Sequence, residues 1–147
     1  MKKKNTLLLF LCLFSLWAVA QEKKPVKIAC VGNSITYGSG IKNQFQNSYP
    51  GLLSQFLGEG YDVRNFGISA RVLLNKGDHP YMHEQKFRDL LAFQPDIVTI
   101  KLGTNDSKPW NWRYGKDFKK DLTEMLDILQ ELPSKPKIYL SLIHISE

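Results

Sequence analysis

Apolar positions along the chain fall into short continuous runs that alternate with runs of helical period. Val26–Val31 is nearly all apolar and reads as a first strand. Ser48-Tyr49-Pro50 opens a helix, with Ser48 at the N-cap and proline in the first turn. Tyr49, Leu52, Leu53, Phe56 and Leu57 recur at the spacing that would put them on one face, and Gly58 and Gly60 end the run. Tyr61–Phe66 is a second strand. Tyr81–Phe93 is a second helix with Phe87, Leu90 and Leu91 inward, stopped by Pro95. Asp96–Leu102 is a third, mostly apolar strand. Tyr114–Leu132 is a third helix with a stripe of Phe118, Leu122, Met125, Leu126 and Leu129. Pro133 and Pro136 break it, and Lys137–Leu140 begins a fourth strand.

Strand runs of this continuity belong to strands covered on both faces. The order βαβαβαβ therefore predicts an α/β fold, a parallel sheet sandwiched between helices. In such sheets a functional site lies beyond the carboxyl ends of the strands, near a reversal of strand order. Ser34, Gly67 and Asn105 each follow a strand's carboxyl end, so three chemically useful positions are expected on one rim.

Composition changes this picture little. The 147 residues are 43% hydrophobic and 23% charged, an ordinary globular balance with room for a real core. The formal charge of +6 includes Lys2, Lys3 and Lys4. No basic stripe with interleaved aromatics accompanies it, so nucleic acid is not an expected partner. The three lysines, the apolar stretch Leu7–Val19 and the small-residue pattern Ala18-Val19-Ala20 read as a signal peptide over residues 1–20. Gln21 would be the first mature residue. The apolar stretch is shorter than the roughly 20 residues that span a bilayer, so contact with a membrane is expected only during export. The expected location is secreted or periplasmic. Cys30 is then the one mature cysteine, in an apolar strand, where a buried inert thiol is expected.

Candidate chemistry centres on Gly32-Asn33-Ser34-Ile35-Thr36, a serine at a strand-to-helix turn. A serine hydroxyl needs a base to take its proton and donors to hold the oxyanion that forms. Gly67, in Asn65-Phe66-Gly67-Ile68-Ser69, allows close approach of a backbone N–H. Asn105, in Gly103-Thr104-Asn105-Asp106, offers a side-chain amide.

These three segments, in this order and spacing, resemble the signatures of the GDSL-type, or SGNH, hydrolases. The resemblance covers about Lys27 to Asp106. It implies a flavodoxin-like three-layer α/β/α sandwich, a serine esterase and no metal or organic cofactor. It implies Ser34 as nucleophile, with Gly67 and Asn105 as oxyanion donors. Asn33 stands where the family often has aspartate. The family's catalytic pair, an Asp-x-x-His near the C-terminus, is not found in this sequence. Asp78-His79-Pro80, His83 and His144 lack that spacing, so the chain is expected to be a C-terminally truncated domain, inactive by itself. Leu140–Glu147 also resembles a translated library adapter, which would place the end of the native frame near Tyr139 or Leu140; a genuine fourth strand is the alternative.

Trp110 and Trp112 follow the Asn105 loop and suit stacking on sugar rings. With Asn33 and Asp106 they are the candidate substrate contacts. Lys101–Pro109 resembles bacterial carbohydrate acetylesterases, sialate O-acetylesterases among them. The expected reaction is removal of O-acetyl groups from a glycan or small-molecule ester. Within the same chemistry a lysophospholipase or thioesterase is the alternative. Outside it, Asn33–Gly40 could be a phosphate-cradling loop of a flavodoxin-like protein, or the chain a non-catalytic glycan binder.

Overall fold

A computed structural model describes residues 24–141. The expected leader, residues 1–20, and His144 lie outside the described residues. Four strands form one parallel sheet: β1 (Val26–Gly32), β2 (Tyr61–Gly67), β3 (Ile97–Lys101) and β4 (Lys137–Leu140), in the order β2-β1-β3-β4. β1 is central, and the chain leaves it first toward one edge and then toward the other. That reversal between β1 and β3 is the switch point at which a crevice opens beyond the strand ends.

The helices are α1 (Ser34–Tyr37), α2 (Gln44–Asn47), α3 (Tyr49–Leu57), α4 (Gln85–Phe93), α5 (Pro109–Trp112) and α6 (Phe118–Gln130). Side chains alternate across a strand, so the sheet has two distinct faces. Ala29, Val31, Val98 and Ile100 join Phe87, Leu90 and Phe93 of α4 and Met125 and Leu129 of α6 in one apolar core. Ile28 and Cys30 are the alternate positions of β1. Their face carries α3, whose Tyr49 hydroxyl lies 2.8 Å from the Thr99 hydroxyl.

Three expectations are revised here. The segment Tyr81–Phe93 is not one helix: a 3₁₀ turn over Tyr81–His83 ends at an extended Glu84, whose carboxylate pairs with Arg71 at 2.8 Å. The last helix begins at Phe118 rather than Tyr114, after a 3₁₀ turn over Gly115–Asp117. The apolar stripe of α3 is only partly covered, with Leu53 and Leu57 half-buried. Pro50 is buried, while Phe56 is 86% exposed and Leu52 and Tyr49 are also exposed. Close packing of α3 on α2, where a Cβ on Gly51 would lie 2.7 Å from the Gln46 carbonyl, sets that rotation. Ser48 holds the N-cap position, but its side chain makes no cap bond.

The thirteen residues between β2 and the Tyr81 turn have no regular structure, yet they are held firmly. Val72 and Pro80 form a bridge, with Val72 N–H donating to the His79 carbonyl and Tyr81 N–H to the Val72 carbonyl. The Tyr81 hydroxyl donates to the Phe66 carbonyl at 2.6 Å, in a fully buried setting. Asp121 accepts from the Asn75 amide at 2.7 Å, and Lys76 pairs with Asp117 at 2.8 Å. This loop is the wall against which the Asn105 segment is positioned.

Candidate functional site

β1 ends at Gly32, in register with Gly67 of β2 and Lys101 of β3. A Cβ at Gly32 would collide with the Thr36 hydroxyl and lie 2.7 Å from the Lys101 carbonyl. Only glycine lets the chain turn here while β3 and α1 stay close. Asn33 then caps α1, its Oδ1 accepting from the Ile35 amide at 3.1 Å. Ser34 is the first helical residue and is half-buried. α1 is a single turn ended by Gly38 in the left-handed region, φ 87°. A turn this short carries little macrodipole, so any oxyanion or phosphate at Ser34 meets local amides rather than the field of a long helix.

β3 ends at Lys101, and Gly103, with φ 114°, swings the chain over the same rim. Asn105 is buried, with its Nδ2 donating to the Arg71 carbonyl at 3.0 Å. One N–H of that amide is thereby fixed, and the other has no acceptor among the described residues. Ser34 and Asn105 thus follow the carboxyl ends of neighbouring strands at the switch point, as expected from the sequence.

Gly67 differs from expectation. Its amide is taken: it donates to Asn65 Oδ1 at 2.8 Å, while Asn65 Nδ2 donates to the Thr36 carbonyl at 3.0 Å. A Cβ there would strike the backbone of Thr36 and Tyr37. Gly67 is needed for that close approach of β2 to α1. Ala70 lies three residues further on, next to the carbonyl that fixes Asn105. It is exposed, has φ 66°, and its amide has no acceptor among the described residues. The signal for it in sequence is weak, because alanine seldom adopts a positive φ.

Asn33 and Asp106 also differ. Both are buried and bond to the protein's own backbone amides. Asp106 accepts from the amide of Leu73 at 2.8 and 3.1 Å and from that of Leu74 at 2.8 Å. It ties the irregular loop to the segment that carries Asn105. Burial pushes the Asp106 carboxyl above its ordinary range, and the amides of Leu74 and Leu73 offset this only in part. Burial likewise pushes up the Cys30 thiol, which is free and fully buried. Asn33 Nδ2 and Thr36 Oγ1 have no hydrogen-bond partner among the described residues.

Sequence reasoning missed Asn111 and Asp78. Asn111 is 1% exposed and sits at a junction. Its Nδ2 donates to the Asn105 carbonyl at 2.9 Å and to Asp78 Oδ1 at 3.1 Å, and its Oδ1 accepts from the Asp78 amide at 2.9 Å. Asp78 Oδ2 accepts from Trp110 Nε1 at 3.1 Å. The two tryptophans separate. Trp110 is 53% exposed, with Lys108 Nζ 5.6 Å from its ring centre. Trp112 packs on Phe118 at 6.0 Å between ring centres, and so tightly on Gly115 that a Cβ there would lie 2.9 Å from its ring.

Among the described residues no group of three His, Cys, Asp or Glu side chains could hold a metal ion, and no helix is long and apolar enough to cross a membrane. His79 and His83 are exposed, on the loop and the 3₁₀ turn, and neither hydrogen-bonds to Ser34. A groove lined by Phe45, Pro50, Arg64 and Asn65, beside the β2 edge, contains neither Ser34 nor Asn105.

The fold matches solved structures. AlinE4, an SGNH-hydrolase family esterase, superposes with a TM-score of 0.58 at 23% identity, covering 80% of this chain and 58% of that one. Est24, a carbohydrate acetylesterase from Sinorhizobium meliloti, superposes at 0.60 and 21% identity, covering 78% and 62%. In sequence, an acetylxylan esterase of Xylanibacter ruminicola is 52% identical over 117 residues, which is 80% of this chain and 24% of that protein. The chain thus spans about a quarter of that relative's length. The sequence model of one family matches residues 30–146, a stretch that holds both the Ser34 turn and the Asn105 loop, and on that match the chain belongs to the GDSL-like Lipase/Acylhydrolase family.

Proposed function

We propose that this chain is the nucleophile-bearing part of an exported serine esterase that removes O-acetyl groups from carbohydrate, with xylan the favoured polymer. One observation carries the reading. Ser34 and Asn105 follow the carboxyl ends of adjacent, registered strands, and the Asn105 amide is held by the Arg71 carbonyl with one N–H to spare. The relation to an acetylxylan esterase supports the choice of ester and polymer.

In this scheme Ser34 Oγ attacks the acetyl carbonyl carbon and gives its proton to a histidine outside the described residues. The negative charge collects on the carbonyl oxygen. The Ser34 backbone N–H and the free N–H of Asn105 stabilise it there. The Ala70 amide takes the third place, because the Gly67 amide is engaged by Asn65. The bond to the sugar oxygen breaks as the histidine returns the proton to that oxygen. Water, deprotonated by the same histidine, then attacks the acetyl-serine and releases acetate. The Asp-x-x-His that would supply this base is absent from residues 1–147, which is the reason for expecting residues 1–147 alone to be inactive.

The test is acetate release from acetylated xylan, and hydrolysis of p-nitrophenyl acetate, by the full reading frame. Ser34→Ala is expected to remove at least about 10⁴-fold of kcat while leaving the fold intact. Asn105→Ala is expected to lower kcat by about 100–1000-fold. Turnover unchanged in Ser34→Ala would refute the mechanism.

A further inference from the structure

The indole of Trp110 is held unusually well for an exposed side chain. Its Nε1 donates to Asp78 Oδ2 at 3.1 Å. Asp78 Oδ1 in turn accepts from buried Asn111, which also donates to the Asn105 carbonyl. Three hydrogen bonds thus connect the ring to the backbone of the residue that supplies the oxyanion donor. An exposed tryptophan normally loses rotamer freedom when it binds something. Here Asp78 has already fixed the ring, and about half of its surface remains open.

The surroundings of that ring are polar in a particular way. Asp78 is exposed, and each of its carboxylate oxygens accepts one hydrogen bond from protein, leaving lone pairs for a further donor. Desolvation would raise its carboxyl, but the hydrogen bonds from Trp110 and Asn111 outweigh this and hold it below the ordinary value, so it is ionised at neutral pH. Lys108 Nζ lies over one face of the ring, 5.6 Å from its centre, and supplies donors there. An aromatic ring with an acceptor group at its edge and a donor group over it matches a pyranose. Such a ring presents C–H bonds on its faces and hydroxyls around its rim. Xylopyranose fits well, because all its hydroxyls are equatorial and no exocyclic carbon shields its faces.

The geometry points to Trp110, with Asp78 at its edge and Lys108 over it, as a subsite for a neutral xylopyranosyl ring of the polymer, in a fixed position relative to Asn105. Trp112, itself 40% exposed, is left out of it because its ring packs on Phe118 and Gly115 at the start of α6 and has no hydrogen bond to Asp78 among the described residues. This subsite deepens the proposed carbohydrate esterase reading and rests on it, but it is separately testable. It makes Trp110 a determinant of polymer recognition rather than a catalytic residue.

The probe is xylotetraose, titrated calorimetrically into the full-length protein, so that the readout is affinity and not turnover. Trp110→Ala is expected to weaken binding by about tenfold or more, as truncating an aromatic anchor does. Trp110→Phe, which keeps a stacking ring and loses only Nε1, is expected to lie between Trp110→Ala and the wild type. Trp112→Phe is expected to bind within about twofold of the wild type. Unfolding midpoints of all three variants establish that each is folded at the titration temperature. Equal affinity of Trp110→Ala and wild type would overturn the subsite. So would saturating xylotetraose without a binding signal in the wild type, which would mean that polypeptide or solvent covers the ring. The outcome is independent of the Ser34 test: failure of Ser34→Ala to abolish p-nitrophenyl acetate turnover removes the esterase mechanism, whereas failure here removes only the subsite.

Discussion

Replacing Asp106 by alanine removes one carboxylate and strands two backbone amides. Leu73 N–H and Leu74 N–H both donate to it, and both leucines are buried, with relative exposures of 2% and 0%. Each stranded donor costs about 1–3 kcal/mol, so the pair costs about 2–6 kcal/mol. Relief of a desolvated carboxylate returns part of that, which leaves a net loss of about 2–4 kcal/mol. Against a total stability of about 5–15 kcal/mol, such a variant is still expected to fold at low temperature. Asp106→Asn keeps one oxygen acceptor but turns an N–H toward the other amide, so it is expected to fall between alanine and the wild type. Urea unfolding at constant pH gives the ordering. The acid dependence supplies an independent check. Burial raises the folded pKa of Asp106 above the unfolded value of 3.8. The folded state then holds the proton more tightly than the unfolded chain, so this contribution is fully present below 3.8 and is lost as pH rises through the folded pKa. Asp106→Asn has no such proton. The advantage of the wild type over Asp106→Asn should therefore shrink as pH rises above about 4 through the raised folded pKa. An Asp106→Ala variant within about 0.5 kcal/mol of the wild type would refute the reasoning, because it would mean that the two amides find other acceptors at no cost.

Two other substitutions probe the same wall. Tyr81→Phe removes a buried hydroxyl that donates to the Phe66 carbonyl at 2.6 Å, and is expected to cost about 1–2 kcal/mol in urea unfolding with the slope unchanged. Ala70→Gly relieves a positive φ of 66° that costs an L-residue about 1–2 kcal/mol, against about 0.5–1 kcal/mol of added chain entropy in glycine. It should raise the urea midpoint slightly and retain esterase turnover, since the backbone N–H proposed to serve the oxyanion is unchanged; lost turnover at full stability would remove the Ala70 amide from the proposed mechanism.

The parts of the molecule that sequence determined are those governed by local periodicity and by the geometry of parallel sheets. Apolar runs gave the two central strands, β1 and β3, to within a residue or so, since strands covered on both faces carry few polar positions. The edge strands β2, with Asp62 and Arg64, and β4 are more polar or exposed and were bounded instead by Gly60, Gly67 and Pro136. Once the sheet is parallel, every strand ends on the same rim, so Ser34 and Asn105 converge with no further information. Tertiary structure alone decided the rest. Of the apolar stripe of α3, Phe56 and Leu52 face solvent while Leu53 and Leu57 are half-buried, a division that follows from the contact of α3 with α2. The parts played by Asp106, Asn111 and Asp78 depend on which groups an irregular loop brings within reach, across separations of 33 residues for the bonds of Asp106 to Leu73 and of Asn111 to Asp78. Such a loop has no period to read, and a buried polar side chain takes whatever partner the packing supplies. The same limit applies to the donor after β2. Glycine marks a close approach of backbones, but whether its N–H is free or already taken, as at Gly67, is settled by a side chain two residues away in sequence that also bridges to α1 in space.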